Sequence, residues 1–262
     1  MRVSIARVGA VIRKELAELR RNRLIVVTAV LLPVIFLIGP TATILSIRAS
    51  ALSATLDKRV DYALFMPLMV SVLVPAVMSA YSVVGEREQG TLEPLLTTPV
   101  SRAELLTGKA VAVFVPAAVL GYLIFGIFTA ITQLAAAAPV AAAVRHAPQL
   151  PAALVFIPLL AAWAIWAGLA ISTRVSDTRV AQQLAVLGSL PPVLLAALMS
   201  FQVITPTFTL VAALGGALLA VDCAACLVVA RLFDRERLIT GTRPSRGIPA
   251  PAAPQDIQSP AS

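Results

Sequence analysis

Six hydrophobic runs, each long enough to cross a bilayer as a helix, constrain this chain more than any other feature. A hydrocarbon core of roughly 30 Å takes about 20 residues of α-helix. The runs cover approximately 24–47, 62–84, 110–134, 152–173, 184–204 and 208–230. Lipid offers no hydrogen bonds to a bare backbone, so runs of this kind fold as helices. Only 13% of residues are charged and 59% are hydrophobic, against about 25% charged in soluble domains. The expected fold is an all-α polytopic membrane protein with six transmembrane helices. Residues 1–239 form one membrane domain, and the Pro/Ala/Ser-rich stretch 240–262 reads as a disordered tail.

Charge sets the expected orientation. Seventeen Lys and Arg residues fall in the N-terminal segment, the loops after spans two and four, and the C-terminal tail. The opposite loops hold four: Arg48, Lys58, Arg59 and Arg145. By the positive-inside rule the first set is cytoplasmic, as are both termini. This bias also accounts for the net charge of +8, so no nucleic-acid partner is implied. The first apolar run is too long for a signal-peptide core, and no cleavable signal is expected.

One polar island interrupts the apolar sequence, from Gly85 to Lys109. Gly90 is a natural break. Thr91 can cap a short helix, with Glu93 in its first turn, where the helix dipole favours negative charge. Pro94 is tolerated there as well. Leu92, Leu95 and Leu96 then share one face, which needs burial against either the spans or another protein. Thr97-Thr98-Pro99 ends that helix. Ser101-Arg102-Ala103-Glu104 has the form of a capping box and starts a helix that runs on into span three. At the N-terminus, Val8, Ile12, Leu16 and Leu19 make an apolar stripe on a basic helix. Such a helix is suited to the headgroup layer, or serves simply as a topological anchor.

The island's wording resembles the loop between spans two and three of type-2 ABC exporter permeases. The resemblance rests on Glu86-Arg87-Glu88-Gln89-Gly90-Thr91-Leu92-Glu93, Leu95-Leu96, Thr98-Pro99-Val100-Ser101-Arg102, Glu104-Leu105-Leu106 and Gly108-Lys109. Arg13-Lys14-Glu15-Leu16, with Arg20 and Arg23, is similar to the elbow helix that opens such permeases, here residues 4–22. The resemblance implies a bacterial inner-membrane export subunit with no ATPase of its own. It pairs with a second permease copy or homologue and with two separate ATP-binding subunits. The short helix within segment 85–109 acts as a coupling helix seated on the ATPase. Glu86, Arg87, Glu88, Gly90, Thr91, Leu92, Glu93, Leu95, Leu96 and Arg102 form or support that contact. No cofactor is expected on this chain, since ATP and Mg belong to the partner. A P-loop needs G-x-x-x-x-G-K-[ST]; around Gly108-Lys109, Ala103 and Ala110 stand in the required Gly and Ser/Thr positions.

Other function classes find less support. An ion-coupled carrier keeps ionisable groups within its spans, and the only acid in the six runs is Asp222, a candidate intramembrane polar site. A membrane enzyme needs a cluster of acids, His, Cys or Ser. The single histidine, His146, reads as a solvated loop residue with no metal role. Cys223 and Cys226 lie inside span six and read as small apolar-tolerant residues. A non-transporting factor built on the same scaffold remains a further alternative. Ala, Val and Leu dominate the spans, with scattered Ser, Thr, Tyr and Gln, which suits an apolar or amphipathic cargo better than a charged one.

Overall fold

The computed structural model describes residues 4–47, 53–91, 100–201, 203 and 207–232. Among these the regular structure is ten helices and no strand. They are α1 Ile5–Arg21, α2 Arg23–Leu45, α3 Ser53–Leu68, α4 Val70–Glu88 and α5 Arg102–Ala135. There follow α6 Ala138–His146, α7 Gln149–Ser172, α8 Thr178–Gly188, α9 Leu190–Ser200 and α10 Phe208–Leu232. Five helical stretches are long and apolar enough to cross a membrane: α2, Leu56–Glu88, Ala103–Ala135, α7 and Phe208–Arg231. The remaining expected span, span five, corresponds to the pair α8 and α9, bent by 40°. The protein is an all-α polytopic membrane protein.

Local sequence explains the breaks. Asn22 separates α1 from α2 in an extended conformation, and its side chain accepts bonds from the amides of Leu24 and Ile25 at 3.0 and 3.3 Å. Span two is broken at Met69, just after Pro67, whose ring cannot donate to the helix ladder. Span five bends at Ser189, because Pro191 and Pro192 open α9 at positions where a missing amide is harmless. The 205–207 segment between the fifth and sixth apolar runs reads in the sequence as a tight proline hairpin, or as the tip of a re-entrant pair. α9 ends at Ser200 and α10 starts at Phe208; residues 204–206 lie outside the described part, and the bend inside span five is additional. The segment around His146 is also not a plain loop: it folds as α6, with His146 exposed at its last residue.

The bundle is built around span two. α4 packs most extensively on α7, with α5 and α8 flanking it. Most of span two is buried within the protein, whereas α2 and α10 are buried along only a small part of their length. Leu24, Val27, Val30, Val34, Ile38, Phe208, Leu219 and Leu227 point outward, as expected of helices facing lipid. Close approach of α4 to α7 depends on Gly168, where a Cβ would stand 2.0 Å from Ser79 Oγ and 3.0 Å from the Ala80 amide nitrogen. Ser172, fully buried at the end of α7, accepts from the amides of Val83 and Val84 at 3.1 Å each.

Candidate functional site

The polar residues collect at the end of the bundle that carries the island. α4 ends there in a Schellman motif. Gly90 takes a φ of +68°, a left-handed conformation that favours glycine. The Gly90 amide donates to the Arg87 carbonyl at 3.1 Å and the Thr91 amide to the Glu86 carbonyl at 2.9 Å. The Thr91 hydroxyl adds a 3.3 Å bond to the same Glu86 carbonyl. The chain thus leaves α4 through a defined turn. At Ser101 the next described helix starts through the capping box expected from the sequence. Ser101 Oγ accepts from the Glu104 amide at 3.3 Å, and Glu104 Oε2 accepts from the Ser101 amide at 2.8 Å. Glu104 Oε1 also takes the Ser4 amide at 2.7 Å and Arg7 Nε at 3.0 Å, which ties the start of α1 to the start of α5.

A second tie lies deeper. Val11, Glu15 and Leu19 form the buried face of α1. The sequence reading centred the apolar stripe on Val8, Ile12, Leu16 and Leu19; Leu19 is on the buried face, but Val8, Ile12 and Leu16 only flank it, and the face carries a carboxylate. The reason is Lys109, whose side chain is fully enclosed. Its Nζ lies 2.7 Å from Glu15 Oε1 and 2.8 Å from Glu86 Oε2, and it donates to the Ser82 carbonyl at 2.9 Å. Ser82 Oγ in turn donates to Glu15 Oε2 at 3.3 Å. Lys14 completes the group, donating to Glu86 Oε1 and lying 3.0 Å from Glu18 Oε1. Glu15, Glu86 and Lys109 are each at most 3% exposed. An unpaired charge at that depth is strongly unfavourable, so the group stands only because each charge faces its opposite. Alternating with Lys14, the two buried acids and Lys109 sum to zero.

The electrostatics follow the geometry. Burial pushes the Glu15 carboxyl above the usual carboxylate range, against the pull of Lys109. Burial alone would lower the Lys14 ammonium, but the field of Glu86, its hydrogen bond and Glu15 outweigh it and hold Lys14 above the ordinary lysine range. Glu15, Glu18 and Glu86 lie close enough together to suggest a metal site. Lys14 and Lys109 already pair with these three carboxylates, which leaves the five groups with one net negative charge.

A third tie reaches the next loop on the same end. Arg87 Nη1 donates to the Val175 carbonyl at 3.1 Å, and Glu88 Oε1 accepts from the Thr178 amide at 3.0 Å, at the first residue of α8. Glu88 thereby supplies negative charge to the α8 N-terminus beside its cap Asp177. Arg87 Nε and Nη2 are buried without a hydrogen-bond partner among the described residues.

The structure therefore brings together Glu86, Arg87, Glu88, Gly90 and Thr91, the described half of the expected contact. Glu86 is an internal strut rather than a surface group. Leu92, Glu93, Leu95 and Leu96 lie outside the described residues, as does the side chain of Arg102, which opens α5. Asp222 is remote from this cluster, buried on α10 with neither carboxylate oxygen hydrogen-bonded among the described residues. Glu15, Lys109, Ser82 and the 173–178 loop were missed from the sequence. Only the Lys109 charge at the very start of a span hinted at them.

A family model described as ABC-2 family transporter protein matches residues 9–208, from the elbow helix to the start of the last span. The chain belongs to this family. No curated protein matches it. As an ABC-2 family member it is a multi-pass membrane component of an ABC transporter, a permease, and membership implies partnership with an ABC ATP-binding subunit.

Proposed function

We propose that this chain is the permease subunit of an ATP-driven exporter, with the island end of the bundle on the cytoplasmic side. Segment 92–99 is the element on which an ATP-binding subunit seats. Two permeases and two ATP-binding subunits make the working unit, with ATP and Mg held by the latter. Family membership supports the class, and the seventeen-to-four partition of Lys and Arg supports the orientation. The observation that carries the coupling role is the Glu86–Lys109 pair at 2.8 Å. It joins the two stems from which segment 92–99 hangs, and Glu15 locks both to α1. Arg87 and Glu88 extend the same frame to α8. A push on the segment is thereby delivered to spans two, three and five together, as a rigid element must if ATPase closure is to switch the spans between two arrangements.

The test replaces Leu92, Leu95 and Leu96 with Asp. The expected outcome is normal membrane insertion with loss of the ATP-binding subunit on copurification. Undiminished copurification would overturn the coupling reading.

A further inference from the structure

The ties to Glu104 and Lys109 fix which side of α1 turns away from the bundle, and that side is basic. Arg13 and Arg20, about two turns apart, share its outward face, and Arg21 and Arg23 flank the kink at Asn22; all four are exposed. The acids of α1 are already engaged, Glu15 by Lys109 and Glu18 by Lys14. Arg7 and Lys14 are paired as well. None of Arg13, Arg20, Arg21 and Arg23 meets an acid among the described residues. The elbow between α1 and α2 therefore presents a group of guanidiniums that nothing described neutralises.

The span beside them supplies a second feature. Arg23 is the first residue of α2, one of the helices apolar enough to cross a membrane. Val27, Val30 and Val34 follow it at i+4, i+7 and i+11, so they lie on the same helix face as Arg23. That face is open: the three valines are 56%, 61% and 43% exposed. One leaflet is half of a hydrocarbon core of roughly 30 Å, and about ten residues of helix cover that depth at roughly 1.5 Å each. The track from Arg23 to Val34 is thus one leaflet deep, with a cation at its headgroup end. Arg20 stands in the last turn of α1, three residues before Arg23. A guanidinium offers a planar fork of donors that matches a phosphate's oxygens.

We propose that the elbow is a binding site for an anionic phospholipid, its phosphate held by Arg20 and Arg23 and an acyl chain laid along Val27, Val30 and Val34. A lipid fits better than a soluble phosphate because cation and apolar track share one face. It fits better than an acidic protein surface because the track belongs to a membrane span. Arg13 and Arg21 add positive charge that favours an anionic headgroup over a zwitterionic one. The leaflet, the inner one, rests on the orientation proposed above. The site itself does not, and its binding test uses the permease alone.

The test titrates phosphatidylglycerol or phosphatidylcholine of equal chain length into the detergent-solubilised permease and follows the first bound lipid by native mass spectrometry. Phosphatidylglycerol should bind on the order of tenfold more tightly. Arg20→Gln with Arg23→Gln should weaken its binding by about fivefold per arginine removed and leave phosphatidylcholine unchanged. Arg174→Gln with Arg179→Gln makes the same charge change at exposed residues away from the elbow and should alter neither lipid. Excess glycerol phosphate, the headgroup without its chains, should not displace the lipid. If the double elbow variant does not insert, Arg20→Gln and Arg23→Gln singly, each about fivefold weaker, carry the test. Equal affinity for the two lipids, undiminished phosphatidylglycerol binding in the elbow variants, or displacement by glycerol phosphate would overturn the proposal. So would an elbow variant that loses the ATP-binding subunit on copurification with its lipid titration unchanged, which would assign the arginines to an acidic protein surface.

Discussion

Lys109→Met is the sharpest perturbation of the frame that holds the island. Methionine matches the length of the lysine stem but brings no charge. In the native structure Lys109 lies within reach of both Glu15 Oε1 and Glu86 Oε2, at 2.7 and 2.8 Å. Lys14, the other cation of the group, is closest to Glu86 and stands 3.6 Å from Glu15 Oε1. Removing Lys109 leaves two carboxylates, each at most 3% exposed, facing one another with one cation between them. Breaking a buried pair by deleting one partner destabilises by about 3–5 kcal/mol. A chain of this size loses roughly 2–4 °C of melting midpoint per kcal/mol, so the midpoint in nanodiscs should fall by on the order of 10 °C. Glu15→Gln in the same chain removes the surplus charge and should return part of the loss, giving a coupling energy within the roughly 0.5–3 kcal/mol seen for contacting groups. If Lys109→Met melts within about 2 °C of the wild type, the network adds nothing net and the rigid-frame argument fails.

Two further outcomes follow from the same structure. Gly168→Ala places a methyl group against Ser79 Oγ and the Ala80 amide nitrogen; it should destabilise by about 1–3 kcal/mol through overpacking at the α4–α7 seam, read as a lowered melting midpoint, and a neutral result would mean that the seam yields. Because Lys14 is held above its ordinary 10.5, its stabilising contribution is complete below that pH and is lost as pH rises past it; the midpoint gap between wild type and Lys14→Gln should be constant from about pH 7 to 10 and shrink above about 10.5, whereas a gap that shrinks on acidification alone would contradict the assignment.

The spans were legible because length and hydropathy suffice to mark a membrane helix. The start of α5 was legible because a capping box is local: Ser101 and Glu104 are three residues apart. The buried face of α1 was not. Periodicity treats every charge as solvent-facing, and Glu15 is buried only because Lys109, ninety-four residues away, meets it. No local pattern carries that pairing. The bend of span five was half legible. Pro191 and Pro192 mark a break in any helical run, but their placement at the first turn of a new helix, after Gly188 and Ser189, is set by tertiary packing. The far-end helix α6 escaped notice because nine residues rich in alanine show no strong stripe.

The central claim is that segment 92–99 meets an ATP-binding subunit. It is tested most directly by placing a photocrosslinking amino acid at Leu95 and, as a control, at Arg145 on the opposite end, in membranes where the complex is intact. Irradiation should join the Leu95 variant to an ATP-binding subunit and leave the Arg145 variant unjoined. A crosslink to that subunit from Arg145, with none from Leu95, would contradict both the docking site and the orientation.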